Sequence, residues 1–205
     1  MSAETVLITG ATKGIGYEFT KVFAEQCYNL VLVSRDSVLL DQQAESLKKE
    51  YGVQVNTFAG DLSSYTTVGG LYRYLKIEGI DIDILINNAG AGGLGLMTEL
   101  DIQKEMEYLQ LNMISLTYLT RLIADDMVKR KQGKILNVAS TAAFQPTPRM
   151  SMYGASKSYV LFFGKQLRKS LKEPEFKLLY YVPLQPKRRL RKGWLQQEQK
   201  FSLRT

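Results

Sequence analysis

The stretch of the chain that decides its fold is residues 5–16, TVLITGATKGIG. An apolar run, Thr5–Thr9, leads directly into the glycines Gly10, Gly14 and Gly16. Glycines at such a junction allow a tight turn, a close approach of the backbone to a pyrophosphate, and close packing of helix on strand. The start of the following helix adds free N–H groups and a positive dipole end. Because the motif joins an expected strand to an expected helix, it predicts a phosphate-binding turn.

The alternation of short apolar runs with longer amphipathic stretches continues along the chain. Further strands are predicted at residues 29–34, 53–59, 82–86, 134–139 and 177–182, and helices at 14–27, 38–51, 65–78, 102–131 and 151–171. Almost wholly apolar strands that alternate with helices indicate a parallel sheet buried on both faces. With right-handed crossovers, this pattern predicts a doubly wound α/β fold, the Rossmann fold, with about six strands and helices on both faces.

The end of the second predicted strand bears on the choice of dinucleotide. An acid there bonds the adenosine 2′-hydroxyl of NAD, whereas an arginine accommodates the 2′-phosphate of NADP. Ser34 is followed here by Arg35 and Asp36. Arg35, helped by Lys13 in the glycine loop (residues 9–16), favours NADP over NAD. Two alternatives stay open: Arg35 is a solvated residue with Asp36 as the N-cap of the next helix, or Asp36 is itself the ribose ligand.

Three residues later in the chain predict proton chemistry: Ser140, Tyr153 and Lys157. Tyr153 and Lys157 are four residues apart, so on a helix they share one face. A phenol normally loses its proton near pH ~10, and an ammonium group ~4–6 Å away typically lowers a pKa by ~1–3 units. Tyr153 could then exchange a proton with a substrate oxygen near neutral pH. Ser140 follows an apolar run and could hold the same oxygen; the alternative is that this Tyr–Lys spacing arises by chance.

Composition limits the remaining chemistry. The chain has 205 residues, no histidine and one cysteine, Cys27, so a disulfide framework, His-based triads and His-ligated metals are excluded. No metal is predicted. The amino acids before Val6 lack the basic and apolar regions of a signal peptide, and no apolar run approaches ~20 residues, so a cytoplasmic location is expected.

The positive charge is concentrated in the last 25 residues. The net charge is +7, and residues 181–205 hold one acid, Glu198, beside seven basic residues. Residues 1–182 are expected to form one NAD(P)-binding domain that carries the catalytic residues, and residues 183–205 an irregular basic tail. A basic tail can bind nucleic acid or acidic lipid. Only Trp194 and Phe201 add aromatic groups to it, which disfavours both of these partners.

Six motifs in the same order resemble the short-chain dehydrogenase/reductase family over about residues 5–172. They are the glycine loop, Asp61-Leu62, the run Asn87-Asn88-Ala89-Gly90, Asn112, Ser140 and Tyr153-x-x-x-Lys157. The text around Ser140 and Tyr153 is most similar to bacterial members of broad or unassigned substrate range.

The resemblance implies a set of cofactor-binding residues. Asp61 and Leu62 would border the adenine, and Asn88, Ala89 and Gly90 would line the cofactor cleft. With the residues inferred above, the predicted cofactor-binding set is Thr9, Gly10, Thr12, Lys13, Gly14, Ile15, Gly16, Ser34, Arg35, Asp61, Leu62, Asn88, Ala89, Gly90, Tyr153 and Lys157.

The resemblance also implies a catalytic set: Asn112, Ser140, Tyr153 and Lys157. Tyr153 would be the general acid in reduction and the base in oxidation. Lys157 would bond the nicotinamide ribose hydroxyls and lower the pKa of Tyr153, and Ser140 would orient the substrate oxygen. Asn112 would hold a water that links Lys157 to solvent. Hydride would pass between the nicotinamide and a carbonyl carbon.

The chain departs from the family pattern after the sixth predicted strand. The family continues there with a Pro-Gly turn, a substrate-covering helical segment and a seventh strand. In this chain Leu184 follows Pro183, and the remaining residues match neither feature, so the seventh strand is expected to be absent. The segment Lys177–Leu190 can be back-translated with degenerate codons and read in a shifted frame that starts at the third base of the Lys177 codon. That frame permits VTVLCPAATKTEF, which resembles the family's sixth strand and the turn after it. We therefore hypothesise a frameshift near residues 174–177.

Two functions follow as expectations. The first is an NADP-dependent oxidoreductase that acts on a small-molecule carbonyl or alcohol, with Tyr153 as general acid and base. The second is a truncated, weakly active or inactive dinucleotide-binding protein with a sensor or interaction role. Family members commonly pair through the two helices that carry Asn112 and Tyr153, so a homodimer or homotetramer is expected.

Overall fold

The computed structural model describes residues 3–170 and 176–182. These residues form a six-stranded sheet in which every pairing is parallel, with strand order β3-β2-β1-β4-β5-β6. The strands are β1 (Thr5–Thr9), β2 (Asn29–Ser34), β3 (Val55–Ala59), β4 (Ile84–Asn87), β5 (Gly133–Val138) and β6 (Phe176–Tyr181). The predicted doubly wound sheet of about six strands is confirmed. The expected irregular tail, residues 183–205, lies outside the described residues.

Six α-helices connect the strands. They are α1 (Gly14–Glu25), α2 (Ser37–Tyr51), α3 (Tyr65–Ile77), α4 (Ile102–Leu109), α5 (Leu116–Arg130) and α6 (Ser151–Ser170). Within the described residues, none of these helices combines the length and the apolar character needed to cross a membrane.

The prediction of a single long helix over residues 102–131 is wrong in one respect. A π-helical stretch, Gln110–Ser115, separates α4 from α5. The wider turn contains Asn112, whose side chain makes hydrogen bonds outside the helix. Such π segments occur often at functional sites, and this one contacts α6 through Asn112 and Ser156.

Element ends agree with the predictions to within about two residues, and local geometry explains the differences. Helix α1 ends at Glu25 because Cys27 adopts a left-handed backbone with φ of 62°. Helix α2 ends at Tyr51 because the next residue, Gly52, is also left-handed, and β3 begins at Val55.

The core has two layers, one on each face of the sheet. Val6 and Ile8 of β1 pack on one face with Phe19 and Phe23 of α1. Leu7 points to the other face, which α3 and α5 cover. This period of two follows from the alternation of side chains along a strand.

The topology creates a crevice at one edge of the sheet. Strand β1 lies between β2 and β4, so the chain runs outward in both directions from β1. In open α/β sheets, ligands bind beyond the carboxyl ends of the strands at such a switch point. The glycine loop, the residues after β4 and the residues after β5 all lie at this edge.

Candidate active site

The glycine loop forms a cradle that side chains would fill. Gly10 has a φ of +66°, and a Cβ there would lie 2.9 Å from Asn88 Nδ2. A Cβ on Gly16 would collide with the carbonyl oxygen of Gly10. Both positions therefore require glycine, and the predicted tight turn with close helix–strand packing is what the backbone forms.

The N-terminus of α1 is open to an anion. Lys13 occupies the N-cap position, its side chain makes no capping hydrogen bond, and the first turn contains no acidic residue. The free N–H groups and the helix dipole therefore face the glycine loop without internal compensation. This arrangement fits the pyrophosphate of a dinucleotide.

The residues predicted to choose between NAD and NADP lie together beside this loop. Thr12 Oγ1 and Ser34 Oγ are 2.9 Å apart, which joins the glycine loop to the end of β2. Lys13 and Arg35 are both exposed. Asp36 is the N-cap of α2, since its carboxylate accepts the N–H of Leu39 at 3.0 Å. The capping role of Asp36 is thus observed, and it uses one oxygen, Oδ1, of the carboxylate.

The two residues expected to border the adenine differ in exposure. Asp61 is exposed and its carboxylate accepts the N–H of Ser63 at 2.9 Å. Leu62 is buried in the core layer formed with α3 and α5. Leu62 therefore presents little side-chain surface to a ligand.

Asn88 fastens the end of β4 to the glycine loop. Its side-chain Nδ2 donates to the carbonyl oxygens of Thr9 and Gly10 at 2.9 and 3.1 Å. The hydroxyl oxygen of Thr9 accepts the N–H groups of Asn88 and Ala89, both at 3.0 Å. These four bonds set the width of the crevice between β1 and β4.

Asn112 holds the chain that follows β4. Its side-chain Oδ1 accepts the N–H of Ala91 at 3.0 Å, and its Nδ2 donates to the Ala91 carbonyl at 2.8 Å. The same Nδ2 reaches Ser156 Oγ at 3.0 Å. The observed role of this buried amide is to clamp the loop onto α6; the expected water bridge to Lys157 stays a prediction.

Tyr153 and Lys157 lie on one face of α6, as predicted. Lys157 Nζ donates to the carbonyl oxygen of Val138 at 2.9 Å and lies 5.9 Å from the centroid of the Tyr153 ring. Burial lowers the pKa of Lys157 to about 8. A Cβ on Gly90 would lie 3.2 Å from Nζ, so the ammonium group reaches the crevice beside β4.

Ser140 lies two residues after the end of β5 and caps a short 3-10 turn, Thr141–Ala143. Its Oγ accepts the N–H of Ala142 at 3.2 Å. The turn packs against α6, because Ser158 Oγ donates to the carbonyl oxygen of Ala143 at 3.1 Å. Ser140 and Tyr153 are thereby held on two elements in direct contact.

Two residues with structural roles at the site were missed by the sequence reasoning. Ser156 is fully buried and donates to the Tyr153 carbonyl at 2.8 Å while it accepts from Asn112. A Cβ on Gly92 would come within 2.5 Å of the Tyr153 ring. Ser156 could have been found from its position between Tyr153 and Lys157. Gly92 could not, because its role depends on a contact with a residue far away in the sequence.

Comparison with known proteins places the chain in a family. Residues 4–183 match the family described as short chain dehydrogenase.

This chain belongs to the short-chain dehydrogenase family.

Relatives and solved structures agree with that membership. A very-long-chain 3-oxoacyl-CoA reductase of Anas platyrhynchos is 32% identical over 170 residues, which cover 81% of this chain and 54% of the relative. A bulky-bulky ketone specific alcohol dehydrogenase from Comamonas testosteroni superposes with a TM-score of 0.84 and 32% identity, covering 89% of this chain and 73% of that one. A short-chain dehydrogenase from Sphingobium yanoikuyae in complex with NADPH superposes with a TM-score of 0.82 and 34% identity. The match covers 89% of this chain and 72% of that one. The chain spans about half the length of the curated relatives it matches.

The short-chain dehydrogenase motifs thus converge on one crevice. One side of this crevice is framed by the elements that carry Asn112, Ser140, Tyr153 and Lys157, and the other side by the glycine loop. Among the described residues, no group of three or more Cys, Asp and Glu side chains could hold a metal ion.

Proposed function

We propose that this chain binds NADPH and reduces a ketone that carries a large apolar substituent, with Tyr153 as the general acid. The observation that carries the proposal is the juxtaposition of Tyr153 and Lys157 with the loop after β4. Gly92 lies against the Tyr153 ring, and Gly90 lies beside Lys157 Nζ. Asn88 in turn ties the start of this loop to the glycine cradle.

The chain's residues fit reduction of a carbonyl group. When bound, NADPH supplies a hydride to the carbonyl carbon. Tyr153 donates its phenolic proton to the carbonyl oxygen, so that the ketone becomes an alcohol and the tyrosine becomes a phenolate. The buried Lys157 ammonium stabilises this negative charge, because unlike charges interact strongly where water is excluded. A proton from solvent then restores the phenol.

Ser140 has the hydrogen-bonding capacity to hold the substrate. Its oxygen already accepts the N–H of Ala142, which fixes the side chain and leaves its O–H to donate. A donor aimed at the carbonyl oxygen stabilises the charge that develops there during hydride transfer.

The apolar substituent is suggested by side chains around the crevice. Leu94, Leu96 and Met97 follow the loop against Tyr153 and are 72%, 51% and 63% exposed. Phe144, which follows the Ser140 turn, is 62% exposed. The two loops are joined, since the N–H of Gly95 donates to the Arg149 carbonyl at 2.9 Å. An exposed apolar surface beside a polar site is typical of ligand-binding regions.

The names of the relatives support this substrate class. The curated relatives are very-long-chain 3-oxoacyl-CoA reductases, and one similar structure is specific for bulky-bulky ketones. The cofactor choice is supported by exposed Arg35 and Lys13 beside Thr12 and Ser34, and by the similar structure that contains NADPH.

The test is an assay of NADPH oxidation with methyl ketones of increasing chain length. Turnover that improves with chain length, and that Tyr153→Phe lowers by about 10²–10⁴-fold with NADPH affinity unchanged, is the expected result. Tyr159→Phe is the matched control on the same helix, because that hydroxyl bonds Thr117 instead. NADPH binding without turnover of any ketone would reject the reductase and favour a dinucleotide-binding protein.

A further inference from the structure

Glu105 is a buried acid that the proposed reaction does not use. It lies in the first turn of α4 and is only 4% exposed. Within residues 3–170 and 176–182, its carboxylate has no hydrogen bond or ion pair. Its place in the fold is therefore set by the packing contacts of the side chain rather than by a polar partner.

The carboxylate lies directly beneath the loop that follows β4. A Cβ on Gly93 would collide with Glu105 Oε1, so the carboxylate fills the space that a side chain at position 93 would take. The Leu100 side chain lies 3.3 Å from the same point. The side chains of Glu105 and Leu100 therefore pack against Gly93 and support it from one side.

The same loop is held at its start by the π-helical stretch that follows α4. Asn112, seven residues after Glu105, clamps both the N–H and the carbonyl oxygen of Ala91. Gly92 lies between the clamped Ala91 and the supported Gly93, and it lies against the Tyr153 ring. The backbone of residues 91–93 is thus fixed on both sides of its contact with Tyr153.

We infer that Glu105 is a positioning residue: it supports Gly93 and so keeps Gly92 packed against the Tyr153 ring. Without it, a cavity opens beneath the loop, the loop relaxes into that space, and the ring loses one wall. Proton transfer depends on the phenol's position relative to the substrate oxygen, and a displacement of about 1 Å can cost about 10²-fold in rate. This inference rests on the proposed reductase activity for its kinetic consequence.

The first experiment compares two substitutions. Glu105→Ala should lower kcat for ketone reduction by about ten- to a hundred-fold while the Kd for NADPH stays unchanged, because the glycine loop lies on the other side of the crevice. Glu105→Gln keeps the shape of the side chain and should restore at least half of the wild-type kcat. Equal kcat values for Glu105→Ala and the wild type would overturn the inference.

A double-mutant cycle tests the contact itself. Gly93→Ala should lower kcat in the wild-type background, because its methyl group meets the Glu105 carboxylate. In the Glu105→Ala background the space is open, so the same substitution should have little further effect. Additive losses in the two backgrounds would show that Glu105 does not act through Gly93.

A third measurement does not depend on turnover. Amide hydrogen exchange of the peptide that covers residues 90–100 should be faster in Glu105→Ala than in the wild type or Glu105→Gln. If the wild type reduces no ketone, the proposed function fails while this measurement still decides the inference. Equal exchange rates in all three proteins would overturn it.

Discussion

At the scale of single residues, Lys157 combines burial with positive charge. Burial lowers its pKa from 10.5 to about 8, so folding is penalised while the ammonium stays charged. The penalty is complete below pH 8, where both the folded and the unfolded chain bind the proton. Between pH 8 and 10.5 the unfolded chain binds more protons, so the stability contribution of Lys157 rises with pH.

We therefore expect the free energy of unfolding of Lys157→Met at pH 7 to exceed that of the wild type by about 3 kcal/mol. This value follows from the lowered pKa of Lys157, since one pKa unit corresponds to about 1.36 kcal/mol. The gain should fall below about 1 kcal/mol at pH 10. Urea unfolding at the two pH values measures it, with Lys104→Met, an exposed lysine on α4, as the control. An advantage that is the same at both pH values would contradict the assigned burial penalty.

We propose that the preference for NADPH depends on Arg35. Its side chain is exposed at the end of β2, next to the Thr12–Ser34 hydrogen bond. A hydrogen bond to a charged group contributes about 1.5–3 kcal/mol, so Arg35→Ser should weaken NADPH binding about ten- to a hundred-fold. NADH affinity should change little. Equal losses for both nucleotides, measured by fluorescence titration, would remove Arg35 from the 2′-phosphate site.

The sequence identifies residues that act through their own chemical groups better than residues that act through packing. Tyr153, Lys157 and the glycine loop carry a spacing that follows from local geometry. Glu105 and Gly92 carry no such spacing, because their partners lie 12 and 61 positions away and meet them only in the folded chain. Reasoning from the sequence therefore predicts which groups would react, and it misses the residues that pack behind them.

At the scale of elements, the N-cap of α2 offers a way to distinguish two roles of Asp36, capping the helix and binding the cofactor ribose. Asp36 accepts the Leu39 N–H, so Asp36→Ala should destabilise the protein by about 0.5–2 kcal/mol. Thermal unfolding measures that loss. The ratio of NADPH to NADH affinity should stay unchanged, because the carboxylate serves the helix. A large shift of that ratio would instead support Asp36 as a ribose ligand.

The elements themselves are largely predictable, with one informative exception. Six strands and their connecting helices follow from apolar runs alternating with amphipathic stretches. The π-helical stretch Gln110–Ser115 does not, because one extra residue per turn over six residues barely alters the spacing of apolar side chains. Its cause is tertiary: Asn112 bonds Ala91 and Ser156, which lie 21 and 44 residues away.

At the scale of the whole molecule, the described residues contain the crevice and the elements that frame both of its sides. The solved relatives extend further, since this chain covers 73% of the ketone-specific dehydrogenase. The family's substrate-covering segment would follow β6, and the matching positions lie outside the described residues. The frameshift near residues 174–177 stays a hypothesis. Resequencing the locus tests it, and an uninterrupted gene with no family-like frame downstream would reject it.

The surface of the molecule also predicts self-association. Helices α5 and α6 contact each other through Thr117 and Tyr159. Apolar side chains remain exposed on this helical unit: Ile114 in the π-helical stretch is 49% exposed and Phe162 on α6 is 59% exposed. We propose that a second copy of the chain covers them, because apolar surface removed from water stabilises association.

We expect Phe162→Glu to shift the protein towards the monomer in sedimentation equilibrium, because the new carboxylate would be buried in the interface without a partner. Val38→Glu is the control, since Val38 on α2 is 63% exposed and lies on the other face of the sheet. A monomeric wild type would contradict the proposed pairing directly. An oligomer that withstands Phe162→Glu but dissociates with Val38→Glu would place the interface on the α2 side instead. Tyr153 lies on the same helix as Phe162. Ketone reduction by Phe162→Glu should therefore be assayed as well, so that loss of the oligomer is distinguished from damage to the site.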